Sequence, residues 1–279
     1  MIVAAFDIET APRDEALARL FADVDAVQAL VEGPPSACTA EAVAAAVAPL
    51  LDQSASGWRY GRTKDPALLH GKLSADWVDF AADASKSCSL DPLLGRIVSA
   101  AFAFRHLGSG ELIGEARTLA DCGGDEAALL RWAWRDWLDV LECVVTHNGV
   151  DFDVPFLLVR SALLGVDVTK LWTTRAGAYT PNCDLLLWFT GGSRSLDARR
   201  GKGLSALCVR AGVWTPKGAV DGSQVASLVD EGRWDELRAY NLADVAERTW
   251  PLYERFQSVI PGHSHLAPAY REAARKAAR

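Results

Sequence analysis

Residues 6–10 read Phe-Asp-Ile-Glu-Thr, and the fold prediction starts from this stretch. The apolar residues 1–5 precede it and predict a buried strand. Because side chains alternate along a strand, Asp7 and Glu9 point to the same face. Two neighbouring carboxylates on a core strand are costly unless a positive charge lies between them, and a divalent cation with oxygen ligands meets that need. The alternative is a solvated carboxylate pair at a strand end.

The composition is that of an ordinary soluble globular protein. The chain has 279 residues, of which 50% are hydrophobic and 23% charged. No apolar run approaches the roughly 20 residues that a membrane helix needs, so we expect no membrane partner. A net charge of −7 argues against coating nucleic acid by bulk attraction but allows local binding of a polyanion.

The six cysteines form no Cys-x-x-Cys pair, which argues against a zinc ribbon or a disulfide framework. Reduced thiols and a cytoplasmic location are the simplest expectation. The N-terminal stretch lacks the basic region, apolar core and cleavage site of a signal peptide, so we expect no export signal.

The region from about 12 to 91 has helical rather than strand periodicity. An amphipathic stripe runs over 13–31, Thr39 can cap an alanine-rich helix through about Leu51, and a weaker stripe covers 68–80. The region is too apolar for a disordered linker, so it predicts a helical insertion packed on the main domain. A separate small helical domain is the alternative.

From Gly95 onward, strands and helices alternate. Residues 97–104 and 111–119 predict a hairpin, and Asp125 can cap the helix that follows it. Later strands are predicted at Cys143–Thr146 and Cys183–Leu187, and later helices at about 153–164, 203–211, 223–231 and 233–255. This order predicts an α/β fold with a mixed sheet flanked by helices.

A second acidic stretch follows a predicted strand. Residues 146–153 read Thr-His-Asn-Gly-Val-Asp-Phe-Asp. Sites of α/β sheets form at the carboxyl ends of strands, so an acid here can face the same cavity as Asp7. Asp151 and Asp153 are both candidates, and the alternative for either is a helix N-cap.

A third candidate pair lies in the last predicted helix. Tyr240 and Asp244 are four residues apart and share a helix face among apolar neighbours. An aspartate on an apolar face needs a partner, and a metal ion beside the phenol would serve. A core tyrosine with a surface aspartate is the alternative.

Together the three motifs resemble the DEDDy 3′–5′ exonucleases, which have the ribonuclease H-like fold. The motifs are Asp-x-Glu at 7–9, Asn-x-x-x-Phe-Asp at 148–153 and Tyr-x-x-x-Asp at 240–244. The chain looks most similar to the proofreading exonuclease domain of family B DNA polymerases and its stand-alone bacterial and phage relatives. Residues 91–98 and 221–240 also resemble the second strand and the final helical segment of that group.

The resemblance covers about 1–10 and 91–257. It implies a ribonuclease H-like mixed β-sheet flanked by helices over 1–257, with the helical insertion at about 12–91 after the first strand. Residues 258–279 would form a basic C-terminal tail.

The resemblance also implies an active site. Its metal ligands would be Asp7, Glu9, Asp153 and Asp244, with Asp7 shared by two ions. Asp153 fits better than Asp151 because the aspartate of the motif follows the aromatic residue directly. Tyr240 would orient the attacking water. A hard, all-oxygen ligand set suits Mg²⁺ or Mn²⁺.

Three residues are candidates for substrate contacts. The backbone at Thr10 can read a 3′ end, as the resemblance implies. Asn148 can contact the terminal nucleotide or merely form the turn, and Phe152 can stack on a base or pack in the core. The basic loop 193–202, Lys217 and the basic tail can contact phosphates, although such runs are often only solvated surface.

The leading expectation is a metal-dependent exonuclease that degrades single-stranded DNA from the 3′ end by a two-metal-ion mechanism and releases nucleoside monophosphates. DNA is favoured over RNA as the nucleic-acid partner, and the sequence leaves the question of protein partners open. The alternatives are a 3′–5′ exoribonuclease, an endonuclease of the same fold and a catalytically weak nucleic-acid-binding module.

Overall fold

A five-stranded sheet forms the centre of the protein. The computed structural model describes residues 3–13, 26–47, 65–74, 88–168, 182–213, 220–261 and 263. The strands are β1 (Val3–Pro12), β2 (Gly95–Arg105), β3 (Leu112–Thr118), β4 (Cys143–Thr146) and β5 (Asn182–Asp184). Their order is β3-β2-β1-β4-β5. Strands β2 and β3 are antiparallel, whereas β4 is parallel to both β1 and β5, so the sheet is mixed as predicted.

Helices after residue 125 pack against this sheet, and further helices occur before residue 91. The α-helices with complete bounds are α1 (Ala40–Val47), α2 (Glu126–Trp132), α3 (Asp153–Leu163), α4 (Leu185–Phe189), α5 (Leu196–Arg199), α6 (Leu204–Arg210), α7 (Val225–Asp230), α8 (Trp234–Ala243) and α9 (Trp250–Phe256). Residues 26–32, 66–74 and 88–90 are also helical. Short 3₁₀ turns lie at Pro35–Ala37, Ala120–Cys122 and Gly222–Gln224, and π-helical turns at Ala133–Leu138 and Asp244–Thr249. None of these described helices combines the length and the apolar character needed to cross a membrane.

The alternation of β1 divides the core into two layers. Phe6 and Ile8 pack in one cluster with the α3 residue Phe156. Val3 and Ala5 pack in the opposite cluster with aromatic residues of α9. Asp7 and Glu9 continue the odd-numbered face of the strand. They therefore lie on the face against which the C-terminal helices pack.

The predicted strand over Cys183–Leu187 is wrong in its second half. Strand β5 ends at Asp184, and α4 begins at the next residue. The carboxylate of Asp184 accepts a hydrogen bond from the Leu187 N–H at 3.1 Å, which caps the helix. The apolar run that follows is therefore helical, because its first N–H groups have an acceptor. The predicted helix over 233–255 is likewise interrupted by a π-helical turn.

Contacts divide the chain into two compact units. Met1–Ala11 and Arg96–Arg279 form the first, and Pro12–Gly95 form the second. The second unit has its own buried cluster, which includes Val27, Val43 and Leu69. At its α1 the Thr39 hydroxyl accepts the Ala42 N–H at 3.1 Å, which confirms the predicted cap. The ends of this unit adjoin each other, since the Arg13 N–H donates to the Leu94 carbonyl at 3.1 Å.

The predicted helical residues 14–25, 48–51 and 75–80 lie outside the described residues, as do Lys217 and the basic tail after 263. Two described residues of the predicted tail 258–279 nevertheless belong to the core. Ile260 and His263 are buried, and His263 hydrogen-bonds through Nδ1 with the Tyr253 hydroxyl at 2.8 Å.

Candidate active site

Three carboxylates meet where β1 faces the C-terminal helices. One carboxylate oxygen from each of Asp7, Glu9 and Asp244 lies within 4.8 Å of the others. Asp7 and Glu9 are half-buried on one face of β1, and the buried Ile8 between them points to the other side. The i, i+2 spacing therefore places two acids side by side, as predicted.

Asp244 comes from a distorted part of the last long helical segment. It is the first residue of the π-helical turn Asp244–Thr249, one turn after Tyr240. The Tyr240 phenol hydrogen-bonds to the Asp244 carboxylate, and the Arg248 guanidinium donates to Oδ1 of the same carboxylate. Turns of this kind occur frequently at functional sites.

Asp153 brings a fourth acid to this region. It is the first residue of α3, and its side chain is 2% exposed. Its Oδ1 accepts the backbone N–H of Ile8 at 3.1 Å, so the carboxylate is held against the segment between Asp7 and Glu9. It does not cap its own helix, because Phe152 occupies the N-cap position.

Asp151 lies in a different environment. Its carboxylate forms ion pairs with Arg194, at 2.9 Å, and with Arg199. Of the two aspartates that sequence reasoning left open, Asp153 therefore joins the acidic site, whereas Asp151 anchors the basic loop 193–202.

Burial and mutual repulsion raise the pKa values of the acids. Burial is the main cause for Asp7 and Glu9, and the charges of Asp153 and Asp244 raise both pKa values further. Burial raises the pKa of Asp153 to about 7. The pKa of Asp244 is also raised by burial, although the Arg248 guanidinium opposes this shift. The site thus disfavours four bare negative charges.

The phenol of Tyr240 stays protonated over the working range of an enzyme. Its pKa lies well above the ordinary value because the group is buried and faces Glu9, Asp244 and Asp7. In the metal-free site Tyr240 is therefore a hydrogen-bond donor to Asp244.

Sequence reasoning missed two residues that hold the acids. Asn241 is fully buried, and its Nδ2 donates to Asp7 Oδ2 at 2.8 Å. Arg248 is buried and pairs with Asp244. The sequence offered a signal for Asn241, because it directly follows Tyr240 in the motif. An asparagine that is buried there needs hydrogen-bond partners. The sequence signal for Arg248 was its i+4 spacing from Asp244.

Asp184 organises the turn that precedes α3. Its carboxylate accepts the N–H groups of Asn148, at 3.1 Å, and Val150, at 3.0 Å. Asn148 has a φ of 74°, a left-handed conformation that asparagine tolerates. Next to this turn the half-buried His147 contacts the Lys202 carbonyl through Nε2 at 3.0 Å, and desolvation of the ring lowers its pKa.

The three substrate-contact candidates lie in different environments. Thr10 is buried near the end of β1. Phe152 is half-buried and packs its ring against Phe156, with 5.5 Å between centroids. The Asn148 Oδ1 accepts a hydrogen bond from Arg199 at 3.1 Å, so this side chain links the turn to the basic loop.

Comparison with protein families returned one match. The family model described as a predicted 3′–5′ exonuclease related to the exonuclease domain of PolB matches residues 90–275, which is more than half of the chain. The chain belongs to this exonuclease family. Asp153, Tyr240 and Asp244 lie inside the matched region of the exonuclease, whereas Asp7 and Glu9 precede it and meet Asp244 in the tertiary structure. Neither the curated proteins nor the solved structures returned a match.

Family membership confirms two predictions at once. The mixed five-stranded sheet flanked by helices is the α/β, ribonuclease H-like fold of this exonuclease family. The family also implies that nucleic acid is the substrate. The acidic cluster is the feature of the exonuclease in which divalent cations can be held.

Proposed function

We propose that this exonuclease hydrolyses single-stranded DNA from the 3′ end with two divalent cations and releases nucleoside monophosphates. The observation that carries this proposal is the meeting of Asp7, Glu9 and Asp244 within 4.8 Å, with Asp153 hydrogen-bonded to the strand between the first two. A complete acidic set argues against a binding module that has lost its chemistry.

The donor set fits Mg²⁺ or Mn²⁺. All four side chains offer hard carboxylate oxygens, which these ions prefer. Burial raises the pKa values of all four acids, and the charges of neighbouring acids raise those of Asp7 and Glu9 further. Bound cations would remove that repulsion. When bound, two such cations supply Lewis-acid stabilisation of the attacking and leaving oxygens of a phosphodiester.

Each acid has a proposed share in holding the cations. Asp7 interacts electrostatically with all three other acids and would serve both ions. Glu9 and Asp244 would complete one ion, and Asp153 would hold the other. Tyr240 would donate a hydrogen bond that orients the attacking water, since its phenol stays protonated.

Substrate contacts would come from the turn before α3 and the loop beside it. Asn148 and the backbone at Thr10 would contact the terminal nucleotide, and the partly exposed ring of Phe152 would stack on a base. Arg194 and Arg199, which flank Asp151, would contact phosphates. Such a local basic surface is compatible with the net charge of −7.

The domain limits and the location belong to the same proposal. The exonuclease domain would span 1–257 together with the buried residues Ile260 and His263, with an insertion at about 12–91 and a basic tail after 263. All six cysteines are free, which supports a reducing, cytoplasmic location.

End-labelled single strands test the proposed activity. A 5′-labelled DNA strand should shorten progressively in Mg²⁺ or Mn²⁺, whereas a 3′ label should be released at once as a mononucleotide, and EDTA should stop both. Circular single strands should stay intact. A matched RNA strand measures the sugar preference, and faster cleavage of RNA would replace DNA with RNA as the proposed substrate.

Matched variants separate the chemistry from the fold. Asp7→Ala and Asp244→Ala should abolish cleavage. Asp235→Asn is the control, because Asp235 lies on the same helix as Tyr240 and its side chain is 93% exposed. Metal-dependent cleavage that survives in either alanine variant would refute the proposed site.

A further inference from the structure

A buried chain of hydrogen bonds connects Ser99 on β2 to Asp7 on β1 through Asn241 on α8. The Ser99 hydroxyl on β2 contacts Asn241 Oδ1 at 2.9 Å and the Arg117 carbonyl at 3.1 Å. Asn241 Nδ2 then donates to Asp7 Oδ2 at 2.8 Å. Ser99 and Asn241 are both 0% exposed. The chain therefore joins β2, α8 and β1 without access to solvent.

We propose that Asn241 is a positioning residue that fixes the Asp7 carboxylate for cation binding, and that Ser99 sets the orientation of the Asn241 amide. The inference rests on the proposed function, since it concerns how Asp7 meets the cations. It assigns to Asn241 and Ser99 roles that the acidic motif does not include.

The chemistry of the three groups allows one arrangement around an ionised Asp7. A carboxylate only accepts hydrogen bonds, so the amide nitrogen must face Asp7. The amide oxygen then faces Ser99, whose hydroxyl donates to it. This arrangement holds Oδ2 of Asp7. In the metal-free site the Asp7 carboxyl also hydrogen-bonds with Glu9, and a bound cation would replace that contact.

A neutral donor suits this position better than a charged one. An amide holds the carboxylate without neutralising it, so the negative charge that attracts cations is kept. Asp244 is held differently, because the Arg248 guanidinium supplies a positive charge to it. Partners behind a metal ligand orient it and typically change metal affinity by about 10–100-fold when they are removed.

Mn²⁺ affinity, measured by calorimetry without substrate, tests the proposal. Asn241→Leu should raise the Mn²⁺ Kd at least about tenfold. Ser99→Ala removes one oxygen atom and should raise it by a smaller factor. The double variant should match Asn241→Leu alone, because both residues act through one chain of bonds.

Ser161→Ala is the matched control. Its buried hydroxyl also makes two hydrogen bonds, from Trp134 Nε1 at 2.9 Å and to the Leu157 carbonyl at 2.7 Å, but it touches none of the acids. This variant should keep the wild-type Kd. Thermal unfolding in EDTA shows which variants are folded, and Ser99→Ala decides the matter if Asn241→Leu does not fold.

The outcomes separate this inference from the proposed function. Wild-type Mn²⁺ binding together with unchanged Kd values in Ser99→Ala and in folded Asn241→Leu would overturn the positioning role alone. Fully additive losses in the double variant would overturn the Ser99 role. A wild-type protein that binds no Mn²⁺ would overturn both the positioning role and the proposed function.

Discussion

At the scale of single residues, the site balances repulsion among its acids against the binding of cations. Asp7, Glu9, Asp153 and Asp244 are drawn together by packing and backbone contacts, although their charges oppose this. This arrangement lowers the free energy of unfolding of the metal-free protein, and cation binding raises it again. The next three predictions follow from this balance.

Comparing Asp153→Asn with Asp151→Asn should show which aspartate of the second motif is the metal ligand. The amide oxygen can still accept the Ile8 N–H, so the fold should survive, but one metal ligand is weakened. We expect activity to fall by about 100-fold or more. Asp151→Asn should leave the metal dependence unchanged, because Asp151 pairs with arginines. Cleavage assays over a Mn²⁺ titration check this, and a metal defect in Asp151→Asn alone would reverse the assignment.

The metal-free protein should lose stability as the pH rises. The pKa of Asp153 is about 7 in the folded protein, above the reference near 4 for an unfolded chain. The folded state therefore binds more protons between these values, and this stabilising contribution is present at low pH and lost as the pH rises through 7. Urea unfolding in EDTA should show a free energy of unfolding that falls from pH 5.5 to 8.

Two comparisons make the pH prediction specific. Asp153→Asn should reduce the slope, because it removes one of the four acids whose pKa values are raised on folding. Added Mg²⁺ at pH 8 should restore stability to the wild type. A wild-type protein in EDTA with the same slope as Asp153→Asn would contradict the prediction.

Arg248→Met should destabilise the metal-free protein. The guanidinium is the buried counter-charge of Asp244, and removing one partner of a buried ion pair typically costs about 3 kcal/mol or more. Arg233→Met is the control, since Arg233 pairs with Glu231 and Glu236 on the surface, where a pair is worth about 1 kcal/mol or less. Thermal unfolding with and without Mn²⁺ checks this. If the variant is as stable as wild type without metal, Arg248 does not balance the site.

At the scale of elements, the turn between β4 and α3 is a tight fit. A Cβ at Gly149 would lie 2.4 Å from the Thr146 side chain, a distance that forces the turn to move. A Cβ at Gly114 would clash only with the tip of Leu242, at 2.8 Å, which can rotate away. Its other neighbours, the Phe102 carbonyl oxygen at 3.5 Å and the Ala103 Cβ at 3.8 Å, would be in ordinary contact. The turn carries Asn148 and leads into Asp153, so its position matters for the site.

Gly149→Ala should therefore do more damage than Gly114→Ala. We expect Gly149→Ala to lower the free energy of unfolding by about 1–3 kcal/mol and to weaken Mn²⁺ binding, because the turn shifts Asp153. Gly114→Ala should cost less and leave the Mn²⁺ Kd unchanged. Chemical unfolding and calorimetry measure both. Equal effects of the two substitutions on Kd would show that the turn does not position the site.

At the scale of the whole molecule, we predict that the second unit, Pro12–Gly95, can be removed without unfolding the first. Its ends adjoin at Arg13 and Leu94, so a short linker can join them. We expect a chain in which residues 14–93 are replaced by a short Gly-Ser linker to fold and to keep its Mn²⁺-induced rise in Tm. Loss of cooperative unfolding in this shortened chain would show that Pro12–Gly95 is needed for the fold of the first unit.

Much of the site could be predicted from sequence because its spacing is local. The i, i+2 period of a strand places Asp7 beside Glu9, and the i, i+4 period of a helix places Tyr240 beside Asp244. The same periodicity predicted the mixed sheet. It misjudged Cys183–Leu187, because an apolar run fits a strand or a helix and only the cap at Asp184 decides between them.

The sequence by itself determined local order, because near neighbours along the chain decide which side chains share a strand face or a helix face. The resemblance favoured Asp153 over Asp151, but only the tertiary structure showed how Asp153 reaches the other acids, through a hydrogen bond to Ile8 across 145 residues. It also brought Asn241 to Asp7 across 234 residues. Such contacts depend on how strands and helices pack, because no periodicity along the chain relates residues so far apart.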